Sequence, residues 1–259
     1  IRDANLADLK VSLQVWADEL GKPFGYQVLT QTYDDMAAMR VAMNRGELHI
    51  VNAAGMELAE TFGPEDLQGG YAKRSKDAQE GLVLLVSKTS SIQSFSGLRG
   101  KRVSYLSKDR LAEVFMETQC LKATGQNCQD YLVLSGEKRD IQSIYSVFFG
   151  KTDAALISYA TLHTAAELNP QVAQRLRVIL DWKTTALIFG MVTRYASPGV
   201  RDTMLNSTDE TFKSARGRQM LELFKTDFVE KVDASALDSY RDLLREYRAL
   251  EKVRGAKRK

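Results

Sequence analysis

The sequence predicts an α/β fold, a mainly parallel sheet with helices on both faces, and three observations predict it. Short apolar runs alternate with longer segments whose apolar residues recur every three or four positions, the pattern of strands connected through helices. Hydrophobic residues make up 44% of the chain and charged residues 27%, ordinary globular usage that excludes disordered, collagen-like and simple coiled-coil chains. At 259 residues the chain buries a substantial core without metal or disulfide staples, in two modest domains or one large one.

Taken in order, Leu6, Leu9, Leu13, Trp16 and Leu20 form one apolar helix stripe that Gly21 and Pro23 end. Phe24 to Thr30 reads as a strand and Asp34 to Arg45 as a helix. The Asn44-Arg45-Gly46 turn then leads into a short buried strand from Leu48 to Val51. Met36, Met39 and Met43 repeat on that helix with no Cys or His beside them, so they fill core and do not bind a soft metal. Gly69-Gly70 reads as a turn.

Strands follow at Leu82 to Ser87, Lys101 to Leu106, Tyr131 to Leu134 and Ala154 to Ile157. They are separated by helices at Leu111 to Ala123 and Ile141 to Phe149. A helix near Ala160 to Leu168 precedes strands at Arg177 to Leu180 and Ala186 to Thr193, and helical spacing runs through the remainder. Trp182, between Asp181 and Lys183, reads as a core plug ahead of a cover for an apolar ligand.

Several function classes drop out. The balance of 36 Lys+Arg against 33 Asp+Glu, a net +3, does not argue for a nucleic-acid partner. The basic excess gathers between Arg241 and Lys259, where it reads as a solvated helix face. No apolar run approaches the ~18 residues of a spanning helix. The absence of GxGxxG and GxxxxGK[ST] argues against those nucleotide loops, and no CxxC or HExxH pattern accompanies His49 and His163. No metal and no cofactor is expected. Cys120 and Cys128 fit either a local disulfide closing a helix end in an oxidising compartment or two reduced, inert thiols.

Three stretches carry a resemblance. Tyr33, a helix and then Asn44-Arg45-Gly46-Glu47-Leu48-His49-Ile50-Val51 form the first. Leu84-Leu85-Val86-Ser87-Lys88-Thr89-Ser90-Ser91-Ile92, leading to Leu98-Arg99-Gly100-Lys101-Arg102-Val103, forms the second, and Gly150-Lys151-Thr152-Asp153-Ala154-Ala155 the third. In order and spacing they are similar to the phosphate/phosphonate-binding family of periplasmic solute receptors, which feed ABC transporters. The resemblance covers most of residues 24 to 195. It implies a two-lobed, type 2 periplasmic-binding-protein-like fold, each lobe a mixed, mainly parallel sheet flanked by helices. Lobe one would take residues 1–83 plus 191–259 and lobe two 84–190, joined by strands around Leu82 to Val86 and Leu187 to Val192.

The resemblance further implies an extracytoplasmic, monomeric binding protein freed of its signal peptide, which captures a small ligand between its lobes for a membrane permease and catalyses nothing. Two alternatives are a ligand-sensing domain for a membrane signalling protein and, behind it, a small-molecule enzyme on the same fold. Ligands of open α/β sheets meet loops at the carboxyl ends of strands, beside helix N-termini. That rule selects Asn52 and Ala53 after one strand, Ser107, Lys108 and Asp109 after another, and Ser158 and Tyr159 after a third. Comparison with the family adds Tyr33, Glu80 and Asp140.

Departures from the family bear on the ligand. The family's hydroxyl-rich run is shortened to Ser107-Lys108-Asp109-Arg110, and Glu80 and Asp140 stand where the family carries tyrosine and histidine. A carboxylate ~4 Å from a phosphonate charge costs about 4 kcal/mol at an effective dielectric near 20, against about 1 kcal/mol for one hydroxyl hydrogen bond. A neutral, zwitterionic or cationic ligand is therefore expected, with Lys108 and Arg110 as the side chains that could still hold an anion. The strand that family members place ahead of the first helix has no counterpart after Ile1, so it is expected upstream or its sheet position is vacant.

Overall fold

The computed structural model describes residues 11, 13–15, 17, 18, 21–74, 79–223 and 226–257. Leu6, Leu9, Trp16 and Leu20 of the opening stripe lie outside them, whereas Leu13 is helical. The strands are β1 (Ile50–Ala54), β2 (Leu67–Arg74), β3 (Gly81–Ser87), β4 (Arg102–Leu106), β5 (Val133–Glu137), β6 (Ala154–Ser158), β7 (Leu176–Lys183), β8 (Ile188–Thr193) and β9 (Phe228–Val232). The helices are α1 (Met36–Asn44), α2 (Gly55–Thr61), α3 (Arg110–Thr124), α4 (Cys128–Tyr131), α5 (Asp140–Phe148), α6 (Tyr159–Leu168), α7 (Gln171–Arg175), α8 (Pro198–Lys213), α9 (Ala215–Leu223) and α10 (Asp238–Lys257). The chain divides into two compact units, residues 1–77 with 186–238 and residues 78–185 with 239–259.

The first unit holds a four-stranded sheet in the order β1-β8-β2-β9, with every described pairing antiparallel. The parallel character expected of each lobe is therefore absent from this sheet. Phe24 to Thr30, expected as a strand, forms a short 3-10 turn at Lys22–Phe24 and then irregular chain. Gly69-Gly70 is no turn either: it is a bulge inside β2. Gly69 takes φ +124, and a Cβ on Gly70 would stand 1.9 Å from the Gly190 carbonyl oxygen. Only glycine lets the two backbones approach so closely.

Asp35 caps α1, accepting the Ala38 N–H at 2.7 Å. Tyr71 of β2 packs with Val192, Ala196 and Met204 and donates its hydroxyl to the Met204 carbonyl at 2.9 Å. Asp66, fully buried, is held by both Arg40 and Arg194 and accepts the Gly63 N–H at 2.9 Å. A carboxylate with no access to water persists because cations and a backbone donor surround it.

The second unit is a five-stranded mixed sheet in the order β5-β4-β6-β3-β7. Strands β5, β4 and β6 are parallel, and β3 runs antiparallel to β6 and β7. The apolar run Gly-Leu-Val-Leu-Leu-Val of β3 lies buried throughout, as a strand covered on both faces requires. Val83 and Leu85, with Ala155 and Ile157 of β6, meet Ile144, Val147, Ala165 and Val172 from α5, α6 and α7. Each of the large aliphatic side chains in this layer contributes about 1.5–3 kcal/mol by burial.

Asp109 begins α3, accepting the Leu111 N–H at 3.2 Å, and Gly125 ends it in the left-handed conformation at φ 70. Cys120 and Cys128 are joined in a disulfide with Cα atoms 5.3 Å apart, which decides between the bridge and the two free thiols. The terminal helix α10 belongs to this unit, not to lobe one as expected: Tyr240 is wholly buried edge-on to Trp182 at 5.1 Å, and Lys122 pairs with Glu246 at 2.7 Å. The chain passes between units at 77/78, 185/186 and 238/239, so Leu82–Val86 lies wholly in the second unit and Leu187–Val192 wholly in the first.

Candidate functional site

The register of the five-stranded sheet decides which polar residues meet. Leu106 stands opposite Glu137, Tyr105 opposite Leu156, Leu82 opposite Ser158 and Gly81 opposite Lys183. The carboxyl ends of β4, β5, β6 and β7 and the start of β3 therefore share one edge. Of the residues selected from sequence, Glu80, Ser107, Lys108, Asp140, Ser158 and Tyr159 gather there. Glu137, Thr161 and Asp181 join them without having been foreseen.

Within this edge the hydrogen bonds are specific. Ser107 donates both its N–H and its hydroxyl to the Glu137 carbonyl, at 2.9 and 2.8 Å, while Ser146 Oγ donates to Glu137 Oε1 at 2.9 Å. Lys108 follows at φ 61, the one non-glycine residue with positive φ among the described residues, and its side chain is exposed. Such a conformation is sterically costly for a long side chain and turns the chain sharply into α3.

Ser158 is the N-cap of α6. Its Oγ accepts the Thr161 N–H at 3.2 Å and lies 2.9 Å from Thr161 Oγ1. Asp140, the first residue of α5, faces this cap. Its Oδ2 accepts the Ser158 N–H at 3.0 Å, the Ser158 hydroxyl at 2.8 Å and the Thr161 hydroxyl at 2.8 Å. The Ser-x-x-Thr spacing at 158–161 was the sequence signal for Thr161; nothing local pointed to Asp140 as its acceptor.

Tyr159 donates its hydroxyl to Asp181 Oδ2 at 2.5 Å, and Lys183 lies 3.6 Å from the same carboxylate. Burial first, then the bond to Asp181 and its negative charge, push the Tyr159 hydroxyl up to about 12. Glu80 is buried, and its backbone carbonyl accepts the Thr184 N–H at 3.1 Å.

Tyr33, Asn52 and Ala53 belong to the first unit. Asn52 and Ala53 were expected after a strand ending at Val51 but lie within β1, which continues to Ala54 before α2 starts at Gly55. Asn52 is exposed opposite Gly190, and a Cβ on that glycine would stand 2.5 Å from Asn52 Oδ1. The Tyr33 hydroxyl is buried without a hydrogen-bond partner, and burial, with Glu47 nearby, raises its pKa. A cavity of about 390 Å³ in the second unit involves a different set of residues, among them Tyr105, Glu117, Tyr247 and Arg254.

Comparison with known proteins decides the family. A family model described as ABC transporter, phosphonate, periplasmic substrate-binding protein matches residues 3–237. The chain belongs to this family. It is a periplasmic solute-binding protein of the ABC-transporter class, and no described helix is long and apolar enough to cross a membrane. No curated protein matches it in sequence.

Among solved structures it is similar to PhnD1 from Prochlorococcus marinus in complex with methylphosphonate (17% identity, TM-score 0.63, 97% of this chain and 96% of that one). It is also similar to a binding protein component of an ABC phosphonate transporter from Pseudomonas aeruginosa (13%, 0.63, 97% and 85%). A Xanthomonas citri protein bound to ATP superimposes with a TM-score of 0.69 at 12% identity over 94% of both chains. At such identities these likenesses speak for the fold alone, the two-lobed fold of periplasmic binding proteins.

Proposed function

We propose that the polar edge of the second unit's sheet is a ligand-capturing surface of this solute receptor, and that the protein hands its solute to a membrane permease as a monomer and without catalysis. The observation that carries this reading is the convergence of Glu80, Ser107, Glu137, Asp140, Ser158, Tyr159 and Asp181 on one end of five strands. Ligands of open α/β sheets are met at such ends. Tyr33, Asn52 and Ala53 are proposed as contacts on the first unit, each to be checked by its own substitution. A sensing role shares the capture step, and membership in a transport family favours uptake.

Native mass spectrometry of the purified protein, followed by a thermal-shift screen of amino acids, amines, phosphonates and oxyanions, tests this reading. A bound solute raises the melting temperature by mass action, by the equivalent of about 2.7 kcal/mol at one hundred times its Kd. That shift should vanish when Glu80 or Tyr159 is replaced. A shift that survives both replacements would move the site elsewhere, and no response to any solute class would end the proposal.

A further inference from the structure

The hydrogen bonds around Asp140 have a chemical meaning beyond helix capping. Four donors stand at the end of β6: the Ser158 N–H and hydroxyl and the Thr161 N–H and hydroxyl. The Thr161 N–H is spent on Ser158 Oγ, and the other three converge on one oxygen of Asp140 at 2.8 to 3.0 Å. A backbone N–H and two hydroxyls aimed at one point, beside the N-terminus of the ten-residue α6, make up a donor set suited to an oxyanion oxygen. Asp140 opens α5 as well, so the positive ends of two helices favour its charge.

We propose that Asp140 is a resident anion: its carboxylate fills the place that an oxygen of a phosphonate, phosphate or carboxylate ligand would take, so that this edge refuses such groups and receives the neutral or cationic part of a solute. The assignment rests on the receptor reading and names the solute class. Glu80, Glu137 and Asp181 belong to the same edge. On the cationic side, Lys183 is already 3.6 Å from Asp181, and Lys108, Lys138 and Arg139, after β4 and β5, are exposed. The edge as a whole is therefore balanced, and it is the local donor set at Ser158 and Thr161 that Asp140 closes to anions. An incoming dianion would have to displace Asp140 from three hydrogen bonds and then meet its charge, losing on both counts.

The test compares wild type with Asp140→Ala and Asp140→Asn in full-length protein, by calorimetry and thermal shift against methylphosphonate, inorganic phosphate and formate. Wild type should not respond. Asp140→Ala should melt lower, be rescued saturably by formate or phosphate, and bind methylphosphonate at least about 100-fold more tightly than wild type. Adding Ser158→Ala and Thr161→Val should remove the gain. Asp140→Asn, which still fills the niche, should gain nothing.

Micromolar binding of methylphosphonate by wild type would overturn the assignment whether or not the variants fold, as would a folded Asp140→Ala with no anion response. If wild type holds a neutral or cationic solute and Asp140→Ala gains no anion, the resident-anion assignment fails and the receptor reading stands. If Asp140→Ala gains anions and wild type holds no solute of any class, the receptor reading alone fails.

Discussion

Trp182 meets Tyr240 edge-on, ring centroids 5.1 Å apart, and through this contact the last helix is fastened beside the outermost strand of the second unit's sheet. Tyr240 is wholly buried, with Leu243 and Leu244 buried a turn further on. Replacing Tyr240 by Ala removes a large buried ring, and we expect a loss of about 3–5 kcal/mol in urea unfolding. A loss below about 1 kcal/mol would show that α10 contributes little to this unit.

Asp66 is the second test of stability. Its burial is tolerated because Arg40, Arg194 and the Gly63 N–H compensate the charge. Asp66→Ala leaves the Gly63 N–H without its acceptor and two partly exposed guanidinium groups without their shared partner, and should cost about 1–3 kcal/mol. Arg40 and Arg194 retain solvent exposure, so removing either one should cost less; denaturant midpoints of the three variants check the order.

The disulfide spans only eight positions of sequence, so its effect on the unfolded chain is moderate. Reduction, or replacement of both cysteines by serine, should lower stability by about 2–3 kcal/mol. Equal melting temperatures with and without reductant would contradict the bridge.

Tyr159 supplies the pH test. Its pKa is raised from 10.0 to about 12, so the folded state holds the phenolic proton more tightly than the unfolded one. The stabilisation is complete below pH ~10 and declines as the pH rises from there through 12. Absorbance titration of the phenolates should lose one late-ionising tyrosine in Tyr159→Phe relative to wild type, and that variant should lose stability less steeply across the same window.

Glycines at the sheet of the first unit should differ in tolerance. Gly70→Ala drives a Cβ to 1.9 Å from a backbone oxygen that cannot yield, whereas Gly190→Ala meets the amide end of Asn52 at 2.5 Å and the Tyr71 ring at 3.3 Å. We expect about 1–3 kcal/mol for Gly190→Ala and more for Gly70→Ala, read from thermal unfolding.

These same glycines explain where the sequence misled. Gly69-Gly70 has turn composition, and only the strand passing against it reveals a bulge; Phe24 to Thr30 has strand composition and does not join the described sheet. In the second unit, by contrast, β3, β4, β6, α3, α5 and α6 were legible to within two residues, because continuous apolar runs and helical spacing follow directly from burial. At the candidate site, Ser107 and Ser158 were visible through the rule on strand ends, and Glu80 and Asp140 as departures from a family pattern. That Asp140 turns toward the Ser158 cap depends on a register between elements 18 residues apart, which no local pattern encodes.

Three crossings between the units mean that neither is an uninterrupted stretch of polypeptide. A ribosome delivers all of the first unit before it reaches Ser239, while the second still waits for α10. A product ending at residue 238 would therefore release a second unit stripped of the ring that packs on Trp182, with apolar surface left open to water.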